Sequence, residues 1–210
     1  MGKVIAFSNQ KGGSGKSTLS ANIAVLWSNS GYKVAVIDAD PQKSLSYWLT
    51  ERKKYYGEDD IGIDFYQFDI RSLSDEIKKI KRKYDYIIID SPPAITFDTI
   101  QIVKVSNGIF VPVQPSPLDL MATLPFLQIA RDERKKPLII LNRVMPRARL
   151  TDAMVLRLRY SGAKIARSRI SSKVIFAETF AVGRGVVDIN VTSDASKEII
   201  NVGNEILRNL

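Results

Sequence analysis

KVIAFSNQKGGSGKSTLSANIAVLW, residues 3–27, carries three local signals in succession. KVIAFSN (3–9) is an apolar run of strand character, Gly12, Gly13 and Gly15 follow in a loop, and Leu19, Ile23, Leu26 and Trp27 then recur at helical spacing. A strand, a glycine-rich loop and a helix in that order aim several backbone N–H groups and the positive end of a helix dipole at one point, which is a seat for an anion. The loop closes with Gly15-Lys16-Ser17-Thr18. In loops of this kind the lysine reaches the β- and γ-phosphates of a nucleotide and the hydroxyl after it binds Mg²⁺. Lys16 and Ser17 fit those two tasks, with Thr18 near the α-phosphate. A dinucleotide-binding turn is the competing reading, but its third glycine would fall where Thr18 stands.

Outward from this stretch, apolar runs alternate with helical ones: KVAVID (33–38), IDFYQF (63–68), DYIIID (85–90), GIFVPV (108–113), PLIILN (137–142) and AKIARS (163–168). Helices are expected near 16–30, 43–55, 72–83, 96–106, 117–134 and 151–161, with two more near 173–182 and 192–209. Alternation of this kind predicts an α/β fold, a doubly wound, mostly parallel sheet with helices on both faces. At 210 residues and 45% apolar composition, with no repeat or linker, a single domain over 1–210 is expected. The chain has no cysteine and no histidine, which excludes disulfides, thiolate and imidazole metal sites, and histidine as a general base. No run reaches the ~20 apolar residues of a membrane span, so the expected location is cytoplasmic.

In such sheets ligands bind at the carboxyl ends of the strands. Two further strand ends carry carboxylates: VIDADPQ (36–42) delivers Asp38 and Asp40, and YDYIIIDSPP (84–93) delivers Asp90. Without histidine, a carboxylate is the expected group to orient water.

Read strictly, the common phosphate-loop pattern requires glycine where this chain has Gln10. What stands instead, Lys11-Gly12-Gly13-Ser14-Gly15-Lys16-Ser17-Thr18, resembles the deviant Walker A motif of the ParA/MinD family of ATPases, and the likeness extends through VPVQPSPLDL (111–120), LNRV (141–144) and FAETFAVGRGVVD (176–188). The resemblance implies ATP and Mg²⁺ as cofactors, with Lys11 to Thr18 on the nucleotide and Asn142 as a candidate adenine contact. Asp40 would position the attacking water, Asp38 would help organise the metal, and Asp90, at the end of a Walker B-like strand, would hold it with Ser17. Lys11 is the family's signature lysine. It implies an ATP-bound homodimer in which that lysine crosses to the other subunit's phosphates, much as an arginine finger acts in trans.

The small ParA-type members that this chain resembles bind non-specific DNA as ATP dimers, associate with the nucleoid, and segregate or position a DNA or protein cargo whose ParB-like or centromere-binding partner stimulates hydrolysis. The charge distribution accords with that. Residues 131–184 hold fourteen Lys and Arg against four Asp and Glu, a net +10, while the remaining 17 basic and 18 acidic residues nearly cancel. Arg147, Arg149, Arg157, Arg159, Lys173 and Arg184 are the candidate DNA contacts. Lysine at 173, where many relatives carry arginine, keeps the charge without the bidentate geometry. With the loop starting at residue 10, no sequence-reading helix-turn-helix is expected ahead of it. Two alternatives are weighed: a MinD-like membrane-associated positioning ATPase and a metabolic phosphate-loop enzyme. SKEIINVGNEILRNL (196–210) has no net charge and no Trp or Phe, so it reads as a core-packing helix rather than a membrane anchor. No constellation for an acceptor substrate stands out.

Overall fold

The structure, a computed structural model, describes all residues except 1, 59–60, 146–148 and 161, and the backbone alone for 149–154. Seven strands, β1 (Lys3–Phe7), β2 (Val34–Asp38), β3 (Asp64–Tyr66), β4 (Tyr86–Asp90), β5 (Gly108–Val113), β6 (Leu138–Val144) and β7 (Lys164–Ser171), form one sheet in the order β3-β2-β4-β1-β5-β6-β7. Every pairing is parallel. The expected strands are all present, though β3 is only three residues long and β6 and β7 run further than their apolar cores.

The helices are α1 (Lys16–Asn29), α2 (Ser44–Tyr56), α3 (Leu73–Ile80), α4 (Phe97–Val105), α5 (Pro117–Asp132), α6 (Arg149–Tyr160), α7 (Ile175–Ala181), α8 (Val186–Ile189) and α9 (Asp194–Leu207). Because side chains alternate across a strand, each strand feeds both faces. On one face Ile5, Phe7, Val36, Ile88 and Ile140 pack against α1, α2, α7, α8 and α9 through Leu19, Ile23, Trp48, Phe176, Val186 and Ile199. On the other, Val4, Ala6, Ile37, Ile89 and Leu141 pack against α3 to α6 through Leu73, Ile77, Ile102, Phe126 and Leu158. Continuous apolar runs in β1, β2 and β4 are what burial on both faces demands. The last helix lies in the first of these cores through Ile199, Val202 and Ile206. Among the described residues no helix is long and apolar enough to cross a membrane.

Two details of topology position the site. The strand order reverses at β1, with β2 to β4 on one side and β5 to β7 on the other, so the loop after β1 opens at the switch point of the sheet. The register sets Phe7 level with Asp90 and Asp90 level with Asp38, bringing both carboxylates beside that loop. At the β7 edge, Glu205 of α9 accepts the Arg167 and Ser168 backbone N–H groups at 2.8 Å each, and Glu198 accepts the Ser171 N–H at 2.9 Å and its hydroxyl at 2.7 Å.

Candidate functional site

The loop after β1 leads into α1, whose N-terminus has no side-chain cap. Its first N–H groups therefore point free into a cavity of about 410 Å³ lined by Gly12, Gly13, Gly15, Lys16, Ser17 and Thr18 from the loop and Asp40, Gln42, Ser44, Pro93, Arg143 and Phe180 around it. Nothing lies within 4 Å of where a Cβ would stand on Gly12 or Gly13, so the loop's outer side is open. Gly15 is fixed by a different need: its φ is +99°, and a Cβ there would run into the Asn142 amide. Lys16 is buried, and its ammonium turns back to the Lys11 carbonyl at 3.4 Å. Burial pulls its pKa below the ordinary lysine range, opposed by the nearby Asp90 and Asp40 carboxylates.

The three carboxylates differ in how much of each is spent inside the chain. Asp38 is fully engaged: Oδ2 accepts from the Ser46 N–H at 2.8 Å and its hydroxyl at 2.6 Å, and Oδ1 from the Asp40 N–H at 3.2 Å. It holds the loop and the start of α2 in place. Asp40 uses Oδ1 on the Gln42 N–H at 2.9 Å and otherwise faces the phosphate-sized cavity. Asp90 is fully buried with Oδ2 unpaired among the described residues, while Oδ1 accepts from the Ser20 hydroxyl at 3.4 Å. Burial pushes the Asp90 carboxyl up to about 7; Asp38 and Asp40 add to the shift, and the Ser17 hydroxyl and Lys16 oppose it.

Lys11 sits apart from the other loop residues. Its side chain does not line the cavity. Its ammonium rests 2.5 Å from Oδ2 of Asp119, which is 1% exposed in the first turn of α5. Ser116, the N-cap of that helix, donates its hydroxyl to the same oxygen at 2.5 Å and accepts the Asp119 N–H at 3.1 Å. The remaining Asp119 oxygen is buried without a partner among the described residues. Two more bonds tie the loop to β5: Asn9 Nδ2 donates to the Pro112 carbonyl at 2.8 Å, and Gln114 Nε2 to the Gly13 carbonyl at 2.8 Å.

Beside the first cavity lies a second of about 250 Å³, lined by Asn142, Ser171, Lys173, Val174, Phe176 and Ala177 among others. Gly15, Thr18 and Arg143 line both. Asn142, expected at the base, braces the loop: its Nδ2 donates to the Ser14 carbonyl at 2.7 Å and its Oδ1 accepts the Arg143 N–H at 2.9 Å. Ser14 itself is buried, with its hydroxyl unpaired among the described residues. Arg143 and Asp119 carry no site expectation from sequence; a signal existed for Asp119 alone, as an acid in the S-P-x-D start of a helix.

The basic segment divides. Arg157 and Arg159 are exposed on α6, and Arg167 and Arg169 on β7. Lys173 is paired with Glu198 at 2.6 Å. Arg184 lies over the Tyr55 ring at 4.7 Å and donates to the Asp188 carbonyl at 2.7 Å. Those two are committed within the chain. Arg147 lies outside the described residues, and Arg149 opens α6 with its side chain outside them.

An open helix N-terminus behind a glycine-rich loop, at the switch point of a parallel sheet with carboxylates at the adjoining strand ends, defines the nucleotide-binding α/β class. Residues 5–186 match the family model of the CobQ/CobB/MinD/ParA nucleotide binding domain, and the chain belongs to that family. It is 28% identical over 210 residues to the maintenance of carboxysome distribution protein A of Halothiobacillus neapolitanus, covering 97% of this chain and 95% of that protein. Among solved structures, the ATP complex of a Cyanothece McdA variant matches at TM-score 0.81, 18% identity and coverage of 97% and 96%. The septum site-determining protein MinD of Pyrococcus horikoshii, complexed with Mg-ADP, matches at TM-score 0.80, 21% identity and coverage of 98% and 96%. At these identities the two structures speak for the fold.

Proposed function

We propose that this chain is a single-domain ATPase that dimerises around ATP, binds DNA without reading sequence in that state, and positions a cargo whose partner protein triggers hydrolysis. One observation carries the dimer: of the two loop lysines, Lys16 faces the chain's own cavity, whereas Lys11 turns away from it and rests on Asp119. A loop lysine that does not serve its own phosphates can serve a second copy's once Asp119 releases it. The open outer side of Gly12 and Gly13 supports the close approach this requires.

In the proposed site the loop N–H groups and Lys16 hold the β- and γ-phosphates, and the Asp40 carboxylate orients a water for in-line attack on the γ-phosphorus. The bond to the β–γ bridging oxygen breaks, and ADP and phosphate leave. Ser17 and Asp90 fit Mg²⁺: they are hard oxygen donors, and the orphaned Oδ2 of Asp90 is a buried carboxylate oxygen that lacks a cation. Bound Mg²⁺ would supply positive charge that offsets the charge on the phosphates. Lys11 arriving from the second subunit adds positive charge at the transferring group, and loss of the γ-phosphate removes what joins the subunits.

For DNA the exposed arginines of α6 and β7 are the proposed contacts, with Lys173 and Arg184 left to structural tasks. The full-length likeness to a carboxysome distribution protein supports a large protein assembly as cargo alongside DNA. The experiment is binding to non-specific duplex DNA with ADP and with Mg-ATPγS across a salt series, beside Lys11→Ala. The proposal expects binding only with the triphosphate analogue, falling about 10³–10⁵-fold over a fourfold rise in salt for six to ten phosphate contacts. It expects Lys11→Ala to lose DNA binding and dimerisation together. A wild-type protein that stays monomeric, with DNA binding indifferent to nucleotide, refutes it.

A further inference from the structure

Arg143 occupies the end of β6 in a conformation that a strand residue does not ordinarily take. Ile139 and Leu141 point into the core beneath α3 to α6, and Leu138 and Ile140 into the core beneath α1 and α9. Continuing that alternation would send the Asn142 side chain towards α1 and the Arg143 side chain to the opposite face of the sheet. Asn142 obeys. Arg143 does not, because it stands at φ +53° in the left-handed region that non-glycine residues seldom occupy. The β6–β7 register slips here: Leu141 pairs with Arg169 and Val144 with Ser171, three residues against two, so β6 carries one extra residue. A bulge of this kind re-aims a side chain, and such bulges gather beside functional sites.

The re-aimed residue faces the same side as Asn142 and lines both the phosphate cavity and its neighbour. Its backbone is held there by the Asn142 Oδ1, which accepts its N–H, while Asn142 Nδ2 grips the Ser14 carbonyl of the loop. The guanidinium is exposed and makes no ion pair or hydrogen bond among the described residues. A strained backbone held by its surroundings and an unspent cation at the junction of two cavities are the features of a ligand clamp.

We infer that Arg143 binds the nucleotide where the two cavities meet, gripping the α-phosphate and ribose between the phosphates over the loop and the base in the second cavity. The inference rests on the reading of this site as a nucleotide site. Gly15 and Thr18, the other residues common to both cavities, mark the same point along the ligand. Arginine suits it because its planar fork can hold a phosphate through two parallel bonds. Since ADP and ATP share that part, Arg143 strengthens both equally and does not sense the γ-phosphate.

The test is calorimetric titration of the full chain with unlabelled ADP and ATP in Mg²⁺, for the wild type, Arg143→Asn and Arg143→Lys, with thermal unfolding of each without nucleotide. Asparagine tolerates the left-handed region, so Arg143→Asn is expected to unfold at or above the wild-type temperature while binding ADP and ATP about tenfold more weakly, by the same factor. Arg143→Lys should fall between. Unchanged affinities would overturn the inference, as would a loss confined to ATP, or a loss of DNA binding with nucleotide affinity intact. A wild type that binds neither nucleotide refutes the nucleotide reading itself, which is a separate result.

Discussion

Replacing Lys11 by alanine strands a carboxylate. Asp119 is 1% exposed and has Lys11 as its cation, while the Lys11 side chain is 37% exposed. Breaking a fully buried pair costs about 3–5 kcal/mol, and an exposed pair is worth about 0–1 kcal/mol. With one member buried and the other partly in water, Lys11→Ala is expected to cost about 2 kcal/mol. For a chain of this size that is roughly 4–8 °C in melting temperature. Asp119→Asn needs no counter-ion and should cost about 1 kcal/mol, and the double variant should be no less stable than Asp119→Asn alone. A double-mutant cycle by urea denaturation without nucleotide then yields a coupling of about 2 kcal/mol. Additivity to within about 0.3 kcal/mol would refute the reasoning, because the ammonium would not be seated on Asp119 in solution. The cycle also bears on assembly. An ammonium held by Asp119 is not available to a second subunit, so Asp119→Asn is expected to bring ATP-dependent dimerisation to lower protein concentration, measured by light scattering; an unchanged or higher concentration contradicts it.

Burial raises the Asp90 carboxyl to about 7, against roughly 3.9 in an unfolded chain. Between these values the folded state holds a proton that the unfolded state has released, so stability is greatest below pH 4 from this group and declines as pH rises through 7. Denaturation in chelator between pH 5 and 8 should show that slope, and Asp90→Asn should flatten it. Gly15→Ala places a methyl group against the Asn142 amide in a left-handed conformation. A loss of about 2–3 kcal/mol is expected in thermal unfolding, with nucleotide binding abolished in titration. In the DNA salt series, Arg157→Ala and Arg159→Ala should each reduce the slope by about one, whereas Lys173→Ala should leave it alone, since Glu198 already holds that ammonium.

The sheet was legible because buried parallel strands are apolar throughout, and β1, β2, β4 and β5 announce themselves as such runs. α8 was not: Val186–Ile189 is a single turn, too short for any period to register. The phosphate loop could be read from the order of residues alone, since the chemistry needs glycine, lysine and hydroxyl in a fixed succession. The hydrogen bonds that Asp38 and Asn142 make could not, because both depend on which backbone groups come within reach, Ser46 for one and Ser14 for the other. Arg143 illustrates the limit most sharply. Strand alternation assigns it to the far face, and only the extra residue in β6 turns it to the cavity. In the same way the charge count identified the basic third, but Lys173 and Arg184 are spent on Glu198, Tyr55 and the Asp188 carbonyl.

The carboxylates of α9 that hold β7 have a consequence for how copies of this chain can join. An incoming strand would need the N–H groups of Arg167, Ser168 and Ser171, and Glu205 and Glu198 already occupy them. The opposite border, β3, offers three residues. Both borders are thus poor templates for strand addition, one because carboxylates occupy its N–H groups and the other because it is short. The dimer proposed above would instead join copies through the rim where the strands finish, the rim that carries the phosphate loop.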